Sequence, residues 1–178
     1  IELRVHPTLI PQERLIANVN GVKNAVLVQS DAVGSTLYYG SGAGAGPTGS
    51  AIVADIVDIV RSLTVENRCA VPHLAFQPDS LADTPILSVE AIKTAYYLRL
   101  QANDKSGVLA DVTRILSDND ISIEAILQKP LHEAGTVPVI ILTKPVLERE
   151  MNRAIGSLEA LADIVAPVVR IRLETLDA

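Results

Sequence analysis

At 178 residues the chain is long enough for one full domain or for two small ones with separate cores, and we read it as two compact units. Its 48% hydrophobic residues and mean hydropathy of +0.31, against 20% charged residues, mark a surface much of which is meant to be covered. A net charge of −6, few aromatics and no polybasic run exclude the usual basic nucleic-acid surface, and Asp55, Asp58 and Arg61 break the best apolar run before it could span a bilayer.

A single cysteine, Cys69, excludes an internal disulfide framework and fits a reducing compartment, so cytoplasm is the expected location. His6, His73 and His132 stand far apart with no metal-ligand spacing, so no metal site is expected. The chain opens on "IELRVHP" in mid-strand, with Met151 its only methionine, and reads as a piece of a longer protein.

In chain order, Ile1, Leu3 and Val5 alternate with Glu2 and Arg4, which predicts a strand ending at the His6-Pro7 turn. "NAVLVQS" and "STLYYG" flank "DAVG" as a hairpin would. A helix is expected from Thr48 to about Leu63, with Ile52, Val53, Ile56, Val57, Ile59, Val60 and Leu63 covering most of its circumference; such a helix needs partners on several sides. The proline-rich stretch 67–95 is the expected linker between residues 1–66 and a second domain at 96–178. There "AYYLRLQA", "ISIEAILQK", "TVPVIILTK" and "PVVRIRLE" read as strands, and "GVLADVTRILSDN" and "VLEREMNRAIGSLEAL" as helices. That order is βαββαβ, ferredoxin-like, and the fold class is α+β.

The loop "GSGAGAGPTG" contains a GxGxxG at Gly44, Gly46 and Gly49, between a strand and a helix. A dinucleotide fingerprint also needs a second parallel strand ending in an acid, and the proline-rich boundary follows instead. Two readings of the glycines stay open: backbone packed close to a neighbouring body, or backbone close to a ligand.

"HPTLIP" (residues 6–11), "LIANVNGVKNAV" (15–26) and "GSGAGAGPTGSAIVADIV" (40–57) resemble the carboxyl-terminal part of the catalytic region of homoserine dehydrogenase, and residues 96–174 resemble the ACT domain that often follows it. The resemblance implies NAD(P)-dependent interconversion of aspartate semialdehyde and homoserine, on the route to threonine, methionine and isoleucine. It implies that residues 1–66 belong to an incomplete mixed-sheet substrate and dimerisation domain, in a homo-oligomer without nucleic-acid or membrane partners. The family's catalytic lysine and substrate-holding acids lie upstream of Ile1, and Lys23 matches no such role, so no catalytic residue is expected here. The chain alone is expected neither to bind NADP or NAD tightly nor to transfer hydride. Gly42, Ala43 and Gly44 are the residues carried over as bordering the cofactor.

In "ANDKSGVLADVTRIL", Asn103 and Asp104 end a strand and Gly107 turns the backbone into a helix whose amino terminus offers donors to a carboxylate. An amino-acid effector is one reading; a turn capped by Asp104 and relieved by Gly107 is the other. ACT domains usually pair edge to edge. The resemblance therefore implies an effector, threonine above others, between Asn103, Asp104, Gly107, Val108 and Leu109 of one copy and the stretch with Asn119 and Ile121 of another. A non-catalytic amino-acid-sensing module is the rival reading of the whole.

Overall fold

The computed structural model describes residues 1–64, 75–128 and 135–176; Cys69, His73 and His132 lie outside them. The chain divides into two compact units, one of Ile1–Pro11 with Pro85–Leu176 and one covering Gln12–Thr84.

The larger unit is a mixed sheet under two helices. Its strands are β1 (Thr8–Leu9), β4 (Lys93–Asn103), β5 (Ile123–Gln128), β6 (Thr136–Thr143), the short β7 (Val146–Leu147) and β8 (Val169–Leu173), in the order β1-β8-β4-β6-β5, with β7 on the start of β4. The smaller unit supplies the antiparallel hairpin β2 (Lys23–Ser30) and β3 (Gly34–Ser41), then the helix α1 (Ala45–Thr64). Helices α2 (Val108–Asp118) and α3 (Glu148–Glu159) complete βαββαβ from β4 to β8, and the α+β reading holds.

Alternation explains β4 and β6. Tyr96, Leu98, Leu100 and Ala102 point to one face and are buried, as are Val137, Val139 and Ile141 of β6. Against that face α2 lays Val108, Val112 and Leu116, and α3 lays Met151, Ala154 and Leu158, at helical spacing. The sequence TVPVIILTK reads as a strand with its alternation partly lost and both faces covered; its residues in fact alternate strictly between buried and half-buried, because a single face meets the helices.

Residues 1–5 form no strand. Their backbone is anchored instead to the segment before β4: Leu87 N donates to Ile1 O (2.8 Å) and the Ile1 amino group to Pro85 O (2.9 Å). With no sheet face to bury them, Ile1, Leu3 and Val5 stay exposed. The strand comes after the turn, where Thr8 and Leu9 pair in parallel with Arg172 and Leu173. His6 is a turn residue, its Nδ1 2.9 Å from Thr8 Oγ1 and 3.1 Å from Pro7 O.

The hairpin turns through Asp31, Ala32 and Val33 into Gly34, whose φ of +76° suits the left-handed residue that closes a three-residue loop. Helix α1 begins at Ala45, three residues before the expected Thr48, because Thr48 N already donates to Gly44 O (3.0 Å) and Pro47 fits the first turn. Within its own unit α1 buries nothing: Ile52, Val53, Ile56, Val57, Ile59, Val60 and Leu63 are 40–80% exposed. No helix among the described residues is long and apolar enough to cross a membrane.

Leu98 and Leu100 are fully buried at the centre of the larger core. Replacing either with Ala is expected to cost about 2–5 kcal/mol of stability in urea unfolding, through lost transfer energy and an unfilled cavity.

Candidate functional site

Polar groups cluster at the two ends of β4, and the two clusters differ in chemistry. At its beginning, Tyr96 faces the start of α3. Its O–H donates to Glu148 Oε2 (2.5 Å), while Arg172 of β8 grips the same carboxylate through Nη2 to Oε1 (2.6 Å) and Nε to Oε2 (3.2 Å). Arg170 Nη1 lies 3.1 Å from Glu148 Oε1 and donates to Asn152 Oδ1 (2.6 Å). Both guanidinium groups also lie about 6 Å from the Tyr96 ring centroid (5.8 and 6.0 Å). Burial alone would raise the Glu148 pKa, but the bonds from Arg172 and Tyr96 and the two arginine charges outweigh it and hold the carboxyl below its ordinary value. Burial, then the bond to Glu148, pushes the Tyr96 phenol up. The Glu148 carboxylate is occupied on both oxygens from within the chain, so the cluster ties β4, β8 and α3 together.

The other end of β4 opens onto a cavity of about 270 Å³, lined by Ala102, Asn103, Asp104, Lys105, Ser106, Gly107, Val108, Leu109, Gln128, Val137 and Val139. This is just below the roughly 300–1,000 Å³ of pockets for drug-sized ligands and suits a molecule of a few heavy atoms. Gly107 has φ +96°, a conformation that side chains rarely adopt, and it swings the backbone into α2. No side chain caps α2, so its first N–H groups keep their bonding capacity and their partial positive charge for solvent or a ligand. Asp104 N donates to Gly135 O (3.0 Å), which pins the turn.

Asn103, Asp104, Gly107, Val108 and Leu109 are thus brought together in one cavity. Asn119 and Ile121 are not among its lining residues: Asn119 Nδ2 donates to Ile115 O (2.8 Å) at the end of α2, and the Ile121 side chain is packed in the core, 4% exposed. Lys105, Ser106 and Gln128 were not singled out from the sequence. Lys105 and Ser106 were visible in the quoted turn, whereas Gln128 reaches the cavity through strand pairing with β6, which no local pattern encodes.

Gly42, Ala43 and Gly44 lie between β3 and α1. A Cβ on Gly42 would fall 1.7 Å from Asn24 Nδ2, and Gly44 has φ +122°. The chain's own packing and turning account for both glycines. Among the described residues no three His, Cys, Asp or Glu side chains group as a metal site would.

The homoserine dehydrogenase family model matches residues 1–57 and the ACT domain model residues 96–160. A homoserine dehydrogenase of Pseudomonas aeruginosa is 61% identical over 177 residues, 99% of this chain and 41% of its own length. One from Neisseria gonorrhoeae is 49% identical, with 99% and 40% covered. The crystal structure of a homoserine dehydrogenase from Thiobacillus denitrificans superposes with a TM-score of 0.88 at 60% identity, covering 99% of this chain and 39% of that one. The chain thus spans about two fifths of the length of the relatives it matches.

Glu148→Ala is expected to cost about 3–5 kcal/mol, since it leaves Arg172 and Arg170 partly buried without their anion. Tyr96→Phe, which removes one bond to a charged group, should cost about 1.5–3 kcal/mol. Because the folded pKa of Glu148 is depressed, its contribution is present above the unfolded carboxylate pKa of about 4.3 and lost as pH falls through the folded value. Urea unfolding of wild type and Glu148→Ala across that range checks this: the gap between them should shrink in acid. By sequence and by fold, the chain belongs with the carboxyl-terminal region of the homoserine dehydrogenases, its ACT domain included.

Proposed function

We propose that this chain is the carboxyl-terminal assembly and regulatory part of a homoserine dehydrogenase, an oxidoreductase for the NAD(P)-dependent interconversion of L-homoserine and L-aspartate 4-semialdehyde in threonine, methionine and isoleucine synthesis. The observation that carries it is similarity along 99% of the chain to proteins of that name. The whole protein works in the cytoplasm. Residues 42–44 border the cofactor only in that whole, and this chain alone transfers no hydride.

The ACT domain, in this reading, holds a small amino acid, threonine above others, in the cavity at the end of β4. An α-amino acid needs donors for its carboxylate and acceptors for its ammonium. The uncapped start of α2 supplies the former, and Asn103 and Asp104 carry oxygens for the latter.

Assembly follows from the sheet edges. The β8 edge is occupied by β1, while among the described residues β5 pairs with β6 alone and keeps Ile126 and Leu127 40% and 51% exposed. An open apolar edge of this kind receives another strand, and a second copy placed there brings the stretch around Asn119–Ile123 near its partner.

Calorimetric titration with threonine, with serine, isoleucine and phenylalanine as controls, tests the effector, and mass in solution tests assembly. Saturable binding that favours threonine in an oligomer is expected. An oligomer that binds none of the four would leave assembly as the domain's role, and NADPH-dependent turnover by this chain alone would overturn the division of labour proposed here.

A further inference from the structure

Asp163 lies beyond α3, 60 residues from Asn103, and no sequence motif marks it. The segment around it runs alongside the end of β4: Asn103 N donates to Asp163 O (2.8 Å), Val165 N donates to Gln101 O (2.9 Å), and Ala102 bridges Ile164 in antiparallel fashion. That register delivers the Asp163 carboxylate to the mouth of the cavity. There Oδ1 accepts from Asn103 Nδ2 (2.8 Å) and from Lys105 Nζ (2.8 Å).

An ionised carboxylate only accepts, so the half of the Asn103 amide turned toward it must be the NH₂ group. The ambiguity that normally attends an asparagine amide is thereby removed by chemistry. With Nδ2 held on Asp163, the half of the amide turned away from that carboxylate is Oδ1, an acceptor, and one N–H remains on Nδ2. Lys105 is engaged by the same carboxylate, so the cationic side chain that lines the cavity is neutralised rather than left to repel an ammonium.

We propose that Asp163 is the positioning residue of this cavity: by holding Asn103 Nδ2 and Lys105 Nζ, it turns the Asn103 carbonyl oxygen toward the ammonium of a bound amino acid. The role rests on the reading of the cavity as an amino-acid site. Asp163 itself need not touch the ligand; it decides which face of Asn103 does. An amide free to flip would offer NH₂ half the time, and would discriminate poorly between an ammonium and a hydroxyl.

Two measurements on the full chain test this. The first compares calorimetric binding of threonine and of 2,3-dihydroxybutanoate, which carries a hydroxyl in place of the ammonium, in wild type, Asp163→Asn and Asp163→Glu. Asp163→Asn keeps size but removes the charge and puts a donor beside the remaining acceptor, and it should weaken threonine binding about tenfold and narrow its preference over the hydroxy acid; Asp163→Glu, which restores an acceptor-only carboxylate, should recover most of both. Unchanged affinity and preference in Asp163→Asn overturns the role. The second needs no ligand: the Asn103 side-chain amide signal in the nitrogen NMR spectrum, assigned by its loss in Asn103→Ala, should move between wild type and Asp163→Asn. A signal that does not move overturns the positioning itself. One that moves, in a chain that binds neither compound, overturns the amino-acid reading of the cavity and the role that depends on it.

Discussion

The larger unit depends on the alternation of one strand. β4 is bonded to β6 and then β7 along one edge and to β8 along the other, so its register sets that of the sheet. Its inward residues, Tyr96, Leu98, Leu100 and Ala102, are the surface on which α2 and α3 settle. A slip of one residue would send Tyr97, Arg99 and Gln101 into the apolar layer, and the cost of burying them without partners is what holds the register.

The smaller unit has no such constraint. Among the described residues its hairpin is two strands with no covering layer, and α1 carries seven large apolar residues that stay exposed. The excess hydrophobicity noted in the composition sits here to a large degree. A contiguous apolar face of this size is the mark of an interaction surface, which agrees with a chain that matches two fifths of longer relatives. An isolated hairpin is marginal in water, so much of what stabilises this unit must come from whatever covers it.

Much of this was legible in the sequence where the period was long and local. β4, α2, β5, α3 and β8 each show their alternation or helical spacing over enough residues to be read alone, and Gly34 and Gly107 announce their turns. What could not be read depends on distant pairing. Ile1–Val5 alternate like a strand, yet the sheet edge is taken by Thr8 and Leu9, two residues whose partners lie more than 160 positions away. Glu148 looks like an ordinary first-turn acid of an amphipathic helix. Only the placement of β8, which puts Arg170 and Arg172 on the helix-covered side opposite Leu98 and Tyr96, turns it into a buried ion pair. The cavity was half legible: the Asn103–Leu109 turn could be seen, the residue that orients it could not.

The two carboxylates near the ends of β4 show how accessibility separates scaffold from site. Both are held below their ordinary pKa, Asp163 first by the bonds from Lys105 and Asn103, Glu148 by arginines and Tyr96 against the penalty of burial. Glu148 is 3% exposed and takes donors from three side chains, so no ligand can reach it and its loss would untie β4, β8 and α3 together. Asp163 stands at the surface with two side-chain donors, and one of those, Asn103, keeps an oxygen unspent beside a cavity. A fully satisfied buried charge can only hold a fold in place. A charge at the surface that satisfies half of a neighbouring amide instead determines what the other half can recognise, and that is why the cavity end of β4, and not the Tyr96 end, is where a ligand would be read.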